Sequence, residues 1–121
     1  MPIKKIFIVV IFLISLVTGC EKTGCEQNGT TSFPQCIQER INEFKQEIKK
    51  DPPVEIWKYI YRGEVVYSIS GYCCDIPALV MDENCNGICS PNGGITGNGD
   101  GKCPYFFNEA KCGQLVWKDD R

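Results

Sequence analysis

Residues 54–70, which read VEIWKYIYRGEVVYSIS, decide the fold. Side chains before and after Arg62-Gly63 alternate between two faces with a period of two, which is typical of β-strands. Arg-Gly fits a two-residue turn, although it is a weaker signal than Asn-Gly. The segment therefore predicts a β-hairpin with strands at 54–61 and 64–70.

The first strand of this hairpin has two faces with different side chains. Its aliphatic residues share one face, which we expect to lie against a helix. Its aromatic residues, Trp57, Tyr59 and Tyr61, share the other face. These rings either pack under later loops or form an exposed recognition face, so Trp57, Tyr59 and Tyr61 are candidate binding residues.

An amphipathic helix is predicted upstream, over about residues 33–50. Its apolar stripe follows helical spacing and consists of Ile37, Ile41, Phe44 and Ile48. Charged and amide side chains occupy the other side, and Pro52-Pro53 ends the helix.

Three further strands are predicted at 78–82, 86–89 and 114–118. We therefore expect an α+β fold, with one N-terminal amphipathic helix packed on a four- or five-stranded antiparallel sheet. The chain of 121 residues has room for one domain, and no repeat or boundary divides residues 32–121.

The N-terminal residues predict export. Lys4-Lys5 precede a mostly apolar run at 6–17, which at about 1.5 Å per residue is too short for a hydrocarbon core of about 30 Å. A short apolar run after a basic start is typical of a signal peptide. The residues Val17-Thr18-Gly19-Cys20 then match the lipobox of bacterial lipoproteins, in which small residues admit the signal peptidase and the cysteine thiol accepts diacylglycerol.

This leader predicts where the protein is located. We expect a lipoprotein signal peptide at 1–19, lipidation of Cys20, and a lipid-anchored tether at 20–31. Acyl chains on Cys20 make the membrane a partner of the mature protein. Glu21 replaces the aspartate that retains lipoproteins in the inner membrane, which favours the outer membrane of a bacterial cell envelope.

The chain has nine cysteines. Cys20 is assigned to lipid, and the others are candidate disulfide residues: Cys25, Cys36, Cys73, Cys74, Cys85, Cys89, Cys103 and Cys112. An even number of cysteines in a small exported domain indicates a disulfide framework that stabilises the fold. A zinc site is disfavoured, because the chain has no histidine and no paired C-x2-C spacing.

Two disulfide pairings can be argued from position. Cys89 and Cys103 flank a glycine-rich segment, and a bridge between them would contribute about 3 kcal/mol by closing a loop of about 15 residues. A bridge from Cys36 to Cys73 or Cys74 would fix the helix to the sheet. Adjacent cysteines rarely bond to each other, so Cys73 and Cys74 are expected to serve two separate bridges.

The composition excludes several classes of function. Because there is no histidine, the chain has no Ser-His-Asp or Cys-His catalytic arrangement and no histidine base. A net charge of −2 does not indicate nucleic-acid binding, which needs a strongly basic face. We therefore expect a protein that is not an enzyme and that binds no nucleic acid.

Residues 91–101, PNGGITGNGDG, are rich in glycine. Such a run cannot form an ordinary strand or helix, and we expect a tight disulfide-closed loop whose glycines have positive φ. Calcium is the alternative, and it is the one cofactor that the sequence favours. Asn98 and Asp100 have the i, i+2 spacing of calcium ligands, and Asp82 could add oxygens, although calcium prefers six to eight of them.

Several of these residues also carry a resemblance to a known family. Cys73-Cys74-Asp75 is followed by Asn86-Gly87-Ile88-Cys89-x-Pro91-Asn92-Gly93-Gly94-x-Thr96-Gly97-x-Gly99-Asp100-Gly101-x-Cys103-Pro104, and Val116-Trp117 with Asp119-Asp120-Arg121 closes the chain. This pattern resembles a family of small exported lipoproteins of Bacteroidetes-type bacteria, defined by a domain of unknown function. The resemblance covers about residues 36–121 and implies a location and a fold but no activity.

Three functions remain open at this point. The leading hypothesis is a non-enzymatic binding or structural module at the cell surface or in the periplasm, whose partner is an envelope or extracellular protein or a glycan. The first alternative is an inhibitor of proteases or other hydrolases that uses a rigid loop at 90–102. The second alternative is a calcium-binding module.

Overall fold

The computed structural model describes residues 25, 32–71, 73 and 75–121. Its elements in chain order are helix α1 (Gln35–Gln46), strands β1 (Glu55–Tyr61), β2 (Glu64–Ile69), β3 (Leu79–Met81) and β4 (Gly87–Cys89), helix α2 (Phe106–Glu109) and strand β5 (Lys111–Lys118). The predicted antiparallel sheet is confirmed, and it has five strands in the order β4-β3-β2-β1-β5.

Some predictions fall outside these ranges. The described residues do not include the signal peptide at 1–19, the lipidation site Cys20 or the thiol of Cys74. Of the tether at 20–31 they include Cys25 alone. Within the described ranges, neither helix is long and apolar enough to cross a membrane.

The β1–β2 hairpin is the centre of the sheet. Its turn residues Arg62 and Gly63 have φ values of 52° and 81°, and positive φ at both central positions is typical of a type I′ turn. Trp57 lies opposite Ser68 in the register of this hairpin. We call the end of the sheet at Arg62-Gly63 the turn end.

One face of the hairpin lies under α1. Ile37 and Ile41 are buried on the helix, with 0% and 2% of their surface exposed. They pack with Ile56, Tyr67 and Met81 of the sheet in one apolar cluster. The helical spacing of Ile37 and Ile41 therefore matches the aliphatic face of the strands.

α1 ends earlier than predicted. It stops at Gln46 and not near residue 50, and Ile48, which was assigned to the apolar stripe, is 87% exposed. The guanidinium of Arg121 donates to the last carbonyls of the helix, those of Phe44 (3.0 Å) and Lys45 (2.7 Å). The last carbonyls of a helix lack i+4 N–H partners, and that of Phe44 accepts also from the backbone N–H of Glu47. A cation that binds these carbonyls favours ending the helix there.

Asp119 fixes the guanidinium in this position. Its two carboxylate oxygens each accept a 2.8 Å hydrogen bond from Arg121, in the two-point geometry that suits a planar guanidinium. The backbone N–H of Asp119 donates to Val54, just before β1. We call Asp119, Arg121 and the last turn of α1 the C-terminal clamp. The clamp attaches the C-terminal residues to the end of α1.

The second face of the hairpin is covered by the later part of the chain. The short helix α2, to which the sequence analysis assigned no structure, places Phe106 over Tyr61, Val66 and Val80. Phe106 has no exposed surface, and burial of such a ring contributes about 1.5–3 kcal/mol. The aromatic face therefore has its own core, separate from the one under α1.

Three disulfides cross-link these layers. They join Cys25 to Cys112, Cys36 to Cys85, and Cys89 to Cys103, with Cα–Cα distances of 5.3, 6.1 and 6.1 Å. The last of these is the pairing that the sequence favoured.

The predicted bridge from Cys36 to Cys73 or Cys74 is wrong, because Cys36 bonds to Cys85. α1 begins at the turn end of the sheet, beside the β3–β4 turn that carries Cys85. Cys73 follows β2 at the opposite end, and it is an exposed free thiol. The expected separate bridge from Cys73 is therefore not formed either.

We expect the loss of a disulfide to destabilise the domain, and more so for a longer closed loop, because the entropy of closure grows with the logarithm of loop length. The double variant Cys36→Ala/Cys85→Ala opens a link between residues 49 apart, and Cys89→Ala/Cys103→Ala opens one between residues 14 apart. In the chain-entropy model the losses are about 4 and about 3 kcal/mol. Urea unfolding measures both, and peptide mapping without reduction checks the pairings. A variant with the parent's midpoint would contradict the expectation.

The C-terminal clamp predicts an acid dependence of stability. The hydrogen bonds from Arg121 hold the pKa of Asp119 below its ordinary value of 3.8. A carboxylate with a lowered pKa stabilises the folded state above that ordinary value, and this contribution is lost as the pH falls through the folded pKa. Asp119→Asn should therefore lower the urea midpoint at pH 7 and reduce its further fall towards pH 3.

The matched control for this experiment is Asp120→Asn, which changes the exposed neighbouring carboxylate. It should leave the urea midpoint and its pH dependence close to those of the parent. Equal effects of the two substitutions would show that the clamp does not stabilise the fold.

Candidate functional site

A cleft of about 640 Å³ opens on the aromatic face of the sheet. Its floor includes Trp57 and Tyr59 on β1 and Ser68 on β2. Its walls come from four further segments: the one before β1, the one that follows β2, the glycine-rich loop after β4, and helix α2. The cleft lies at the end of the sheet opposite the turn end, where β1 begins and β2 finishes. We call it the aromatic cleft.

Trp57 is held in place by its neighbours on the strands. Its indole N–H donates a 2.9 Å hydrogen bond to Glu55, and the other carboxylate oxygen of Glu55 lies 2.9 Å from the ammonium of Lys118 on β5. The indole hydrogen bond, followed by that from Lys118, lowers the pKa of Glu55. The indole ring is thus oriented by an ionised carboxylate that is itself paired.

Tyr59 continues the aromatic surface of Trp57. The two ring centroids are 6.3 Å apart and their planes differ by 24°. The ring of Tyr59 also makes an edge contact with the ring of Phe106, and the two centroids are 5.5 Å apart. Burial raises the pKa of the Tyr59 phenol. A Cβ at Gly113 on β5 would lie 2.7 Å from the Tyr59 ring, so this ring position requires glycine there.

Tyr61 does not belong to the cleft, and its assignment as a binding residue is wrong. Only 5% of its surface is exposed, and its ring packs against Phe106 at a centroid distance of 4.9 Å. The guanidinium of Arg62 lies 4.8 Å from the ring centroid. The predicted aromatic face is therefore divided: Tyr61 is core, whereas Trp57 and Tyr59 line the cleft.

The glycine-rich loop forms one wall of the cleft. All five glycines of residues 91–101 have positive φ, between 64° and 82°. Backbone hydrogen bonds join Gly93 to Gly97 and Gly99, and Ser90 accepts one from Asp100. Together with the Cys89–Cys103 disulfide, these contacts give the tight closed loop that the sequence predicts. Ile95 at its tip is 99% exposed.

The structure does not bring the proposed calcium ligands together. Asp82 lies at the start of the β3–β4 turn, where its carboxylate accepts hydrogen bonds from Asn84 and Asn86. The backbone N–H of Asp100 donates to the carbonyl of Ser90, the residue that follows β4. The carboxylate of Asp100 accepts a hydrogen bond from the backbone N–H of Lys102. These two carboxylates therefore lie at opposite ends of β4.

The hydrogen bonds also affect ionisation of these candidates. The side-chain amide of Asn86 contributes most to lowering the pKa of Asp82, and the N–H of Lys102 contributes most for Asp100. The third candidate, Asn98, donates its backbone N–H to the Thr96 hydroxyl at 3.4 Å. Among the described residues, no group of three or more cysteine or acidic side chains is arranged to hold a metal ion.

The sequence analysis assigned a binding role to Trp57 and Tyr59 and to none of the other described residues that line the cleft. Asp51, Cys73 and Phe107 line the walls, and Phe107 is 54% exposed although its neighbour Phe106 is fully buried. These residues belong to segments without apolar periodicity, so no local pattern indicates where their side chains point. Only the packing of Phe106 against the sheet leaves Phe107 on the outer side of α2.

Comparison with known proteins identifies the family. The family model described as a domain of unknown function, DUF6970, matches residues 42–119. The chain belongs to this family. The match includes all five strands and every described residue of the aromatic cleft, so the cleft is part of the DUF6970 domain. The chain matches no curated protein and no solved structure.

Two glycines of the cleft wall give a matched test of the loop. Gly93 and Gly97 have φ values of 82° and 77°, so alanine is strained at both. A Cβ on Gly93 would also lie 2.6 Å from the Cα of Pro77, whereas a Cβ on Gly97 meets nothing within 4 Å. Gly93→Ala should therefore lower the free energy of unfolding by about 1–3 kcal/mol more than Gly97→Ala.

Urea unfolding of the two variants measures this difference. Equal losses would mean that the loop is not packed against Pro77 as the structure describes, and that the cleft wall can move without a free-energy penalty.

Proposed function

We propose that this DUF6970 protein is a lipid-anchored, non-enzymatic binding module of the bacterial cell envelope, whose ligand site is the aromatic cleft. The observation that carries the proposal is the placement of this cleft relative to Cys25. Cys25 is bonded at the turn end, whereas most residues that line the cleft lie towards the other end of the sheet. A ligand in the cleft would therefore be bound on the side of the domain that is directed away from the anchor.

The N-terminal segment meets the domain at the turn end. Cys25 is bonded to Cys112, and Lys111 beside it pairs with Ile60, the last but one residue of β1. Cys20 is five residues before Cys25, and a chain of that length reaches at most about 18 Å. An acylated Cys20 would hold the turn end close to the membrane surface.

The aromatic cleft begins near the other end of β1. Asp51 and Pro52 on its wall precede β1, and Ser70 and Gly71 follow β2. A strand of seven residues spans about 23 Å. The walls formed by these residues therefore lie about one strand length from Cys112, whereas Tyr59 on the floor reaches Gly113, the residue next to Cys112. This placement of the walls suits a module that presents its ligand site to the aqueous space.

The cleft also has a composition that suits a binding site. It combines aromatic and aliphatic side chains with a few hydroxyl and amide groups, the carboxylate of Asp51 and the thiol of Cys73, and such a mixture of apolar and polar groups is typical of ligand pockets. The calcium alternative has less support, because Asp82 and Asp100 already accept hydrogen bonds at opposite ends of β4. The inhibitor alternative rests on the exposed side chains of the loop at 90–102, among which Ile95 is the exposed large apolar one.

Lipidation of Cys20 is the step on which the proposal depends. When the full chain is expressed in a bacterium with an outer membrane and labelled with an alkyne fatty acid, we expect label on the protein and recovery of the protein in the membrane fraction. Cys20→Ser should abolish the label and move the protein to the soluble fraction, because two or more acyl chains are needed for stable anchoring.

The control is Cys25→Ser/Cys112→Ser, which removes the disulfide next to the anchor. This variant should keep both the label and the membrane location. Labelling of Cys20→Ser, or an unlabelled parent, would overturn the proposed function.

A further inference from the structure

We propose that the aromatic cleft binds a neutral glycan, with a sugar ring lying against Trp57 and Tyr59. This inference rests on the proposed function, because it names the ligand class of that same cleft. Three properties of the site support it: the charge of its walls, the mutual orientation of its aromatic rings, and the pairing of the strands beneath it.

The charge of the walls favours an uncharged ligand. Among the described residues that line the cleft, Asp51 is the one acidic side chain, and none is lysine or arginine. Anionic ligands such as phosphates and sulfated sugars are bound in proteins by cationic side chains or by clustered N–H groups. The described walls provide no such cation, so a neutral ligand fits them better than an anion.

The aromatic rings favour a ring-shaped ligand over a cation. Cages for quaternary ammonium groups surround the cation with aromatic faces. Here the two rings are neighbours on one strand, stacked with centroids 6.3 Å apart and planes 24° from parallel, so they do not surround a cation from several sides as a cage does. The faces of aromatic rings carry partial negative charge, which attracts the polarised C–H groups of a sugar ring.

Hydroxyl and amide groups at the rim complement the hydroxyls of a sugar. Ser70 accepts a hydrogen bond from the Glu55 backbone through its Oγ, which leaves its hydroxyl proton to donate. Asn92 is exposed at the cleft wall and can both donate and accept. Asp51 provides further acceptor oxygens. A purely apolar ligand would leave these groups without a partner when it displaced their water.

The sheet beneath the cleft disfavours an extended peptide. Peptides often bind as an added strand at an exposed sheet edge. The cleft floor is formed by β1 and β2, and each of these strands is already paired on both sides. Backbone recognition of a peptide strand is therefore not available there, and recognition depends on side chains.

The test uses the full lipidated chain in a detergent without a sugar headgroup. Isothermal titration calorimetry is performed with neutral hexasaccharides of the glucan, mannan, xylan and chitin types. Heparin, a trimethyllysine peptide and a proline-rich peptide serve as probes of the competing ligand classes. We expect saturable binding of at least one neutral hexasaccharide and no binding of the other three probes.

Two tryptophans make the location of binding measurable. Trp57 lines the cleft, whereas Trp117 stacks on Phe44 at 6.1 Å on the α1 side of the sheet. The sequence contains no other tryptophan. In Trp117→Phe the bound saccharide should shift the emission of Trp57, and in Trp57→Phe the emission of Trp117 should not change.

Affinity measurements on variants complete the test. Trp57→Ala should weaken saccharide binding about tenfold or more, whereas Trp57→Phe keeps a ring and should retain most of the affinity. The control is Ile88→Ala, which removes a side chain that is 39% exposed on β4 outside the cleft. Melting temperatures show whether each variant is folded.

The outcomes separate this inference from the proposed function. Binding of heparin or of either peptide without any neutral saccharide would overturn the glycan assignment and leave the lipid-anchored binding module intact. Failure of all probes, or saccharide binding that does not depend on Trp57, would also overturn the glycan assignment. The proposed lipid-anchored module is tested separately, by the labelling of Cys20.

Discussion

Both faces of the β1–β2 hairpin are apolar, and a single helix can cover only one of them. The twelve-residue helix α1 covers the face with Ile56 and Tyr67, whereas the other face is covered by the four-residue α2 and by the loop that the Cys89–Cys103 disulfide closes. Phe106 fills the centre of this second layer. Because α2 is short, the part of the face beside Trp57 stays uncovered and becomes the aromatic cleft.

Each end of α1 is bound to another part of the chain, which compensates for the small apolar area that this helix buries. Only Ile37 and Ile41 are fully buried on this helix, which gives limited packing energy in so small a domain. The Cys36–Cys85 disulfide attaches its first turn to the β3–β4 turn, and the guanidinium of Arg121 binds its last carbonyls. The amphipathic helix is thus held to the sheet by a covalent link at one end and by charge-assisted hydrogen bonds at the other.

The same arrangement gives the domain a polarity that bears on its proposed role. Cys25 is attached at the turn end through Cys112, and the aromatic cleft opens at the other end. The DUF6970 match covers the cleft but does not include Cys25. The aromatic cleft therefore belongs to the matched domain, whereas of the two cysteines that form the disulfide at the turn end only Cys112 lies within it.

The sequence by itself determined those features that depend on local periodicity and backbone chemistry. The alternation of residues 54–70 predicts the hairpin, and the glycines of 91–101 predict a loop with positive φ, because only glycine adopts that conformation without strain. The tertiary structure alone decided the partner of Cys36 and the point at which α1 ends, where Arg121 binds its last carbonyls. It also decided that Tyr61 is core whereas Trp57 and Tyr59 line the cleft. Each of these depends on contacts between residues distant in the chain, and periodicity carries no information about which distant segment covers a given face.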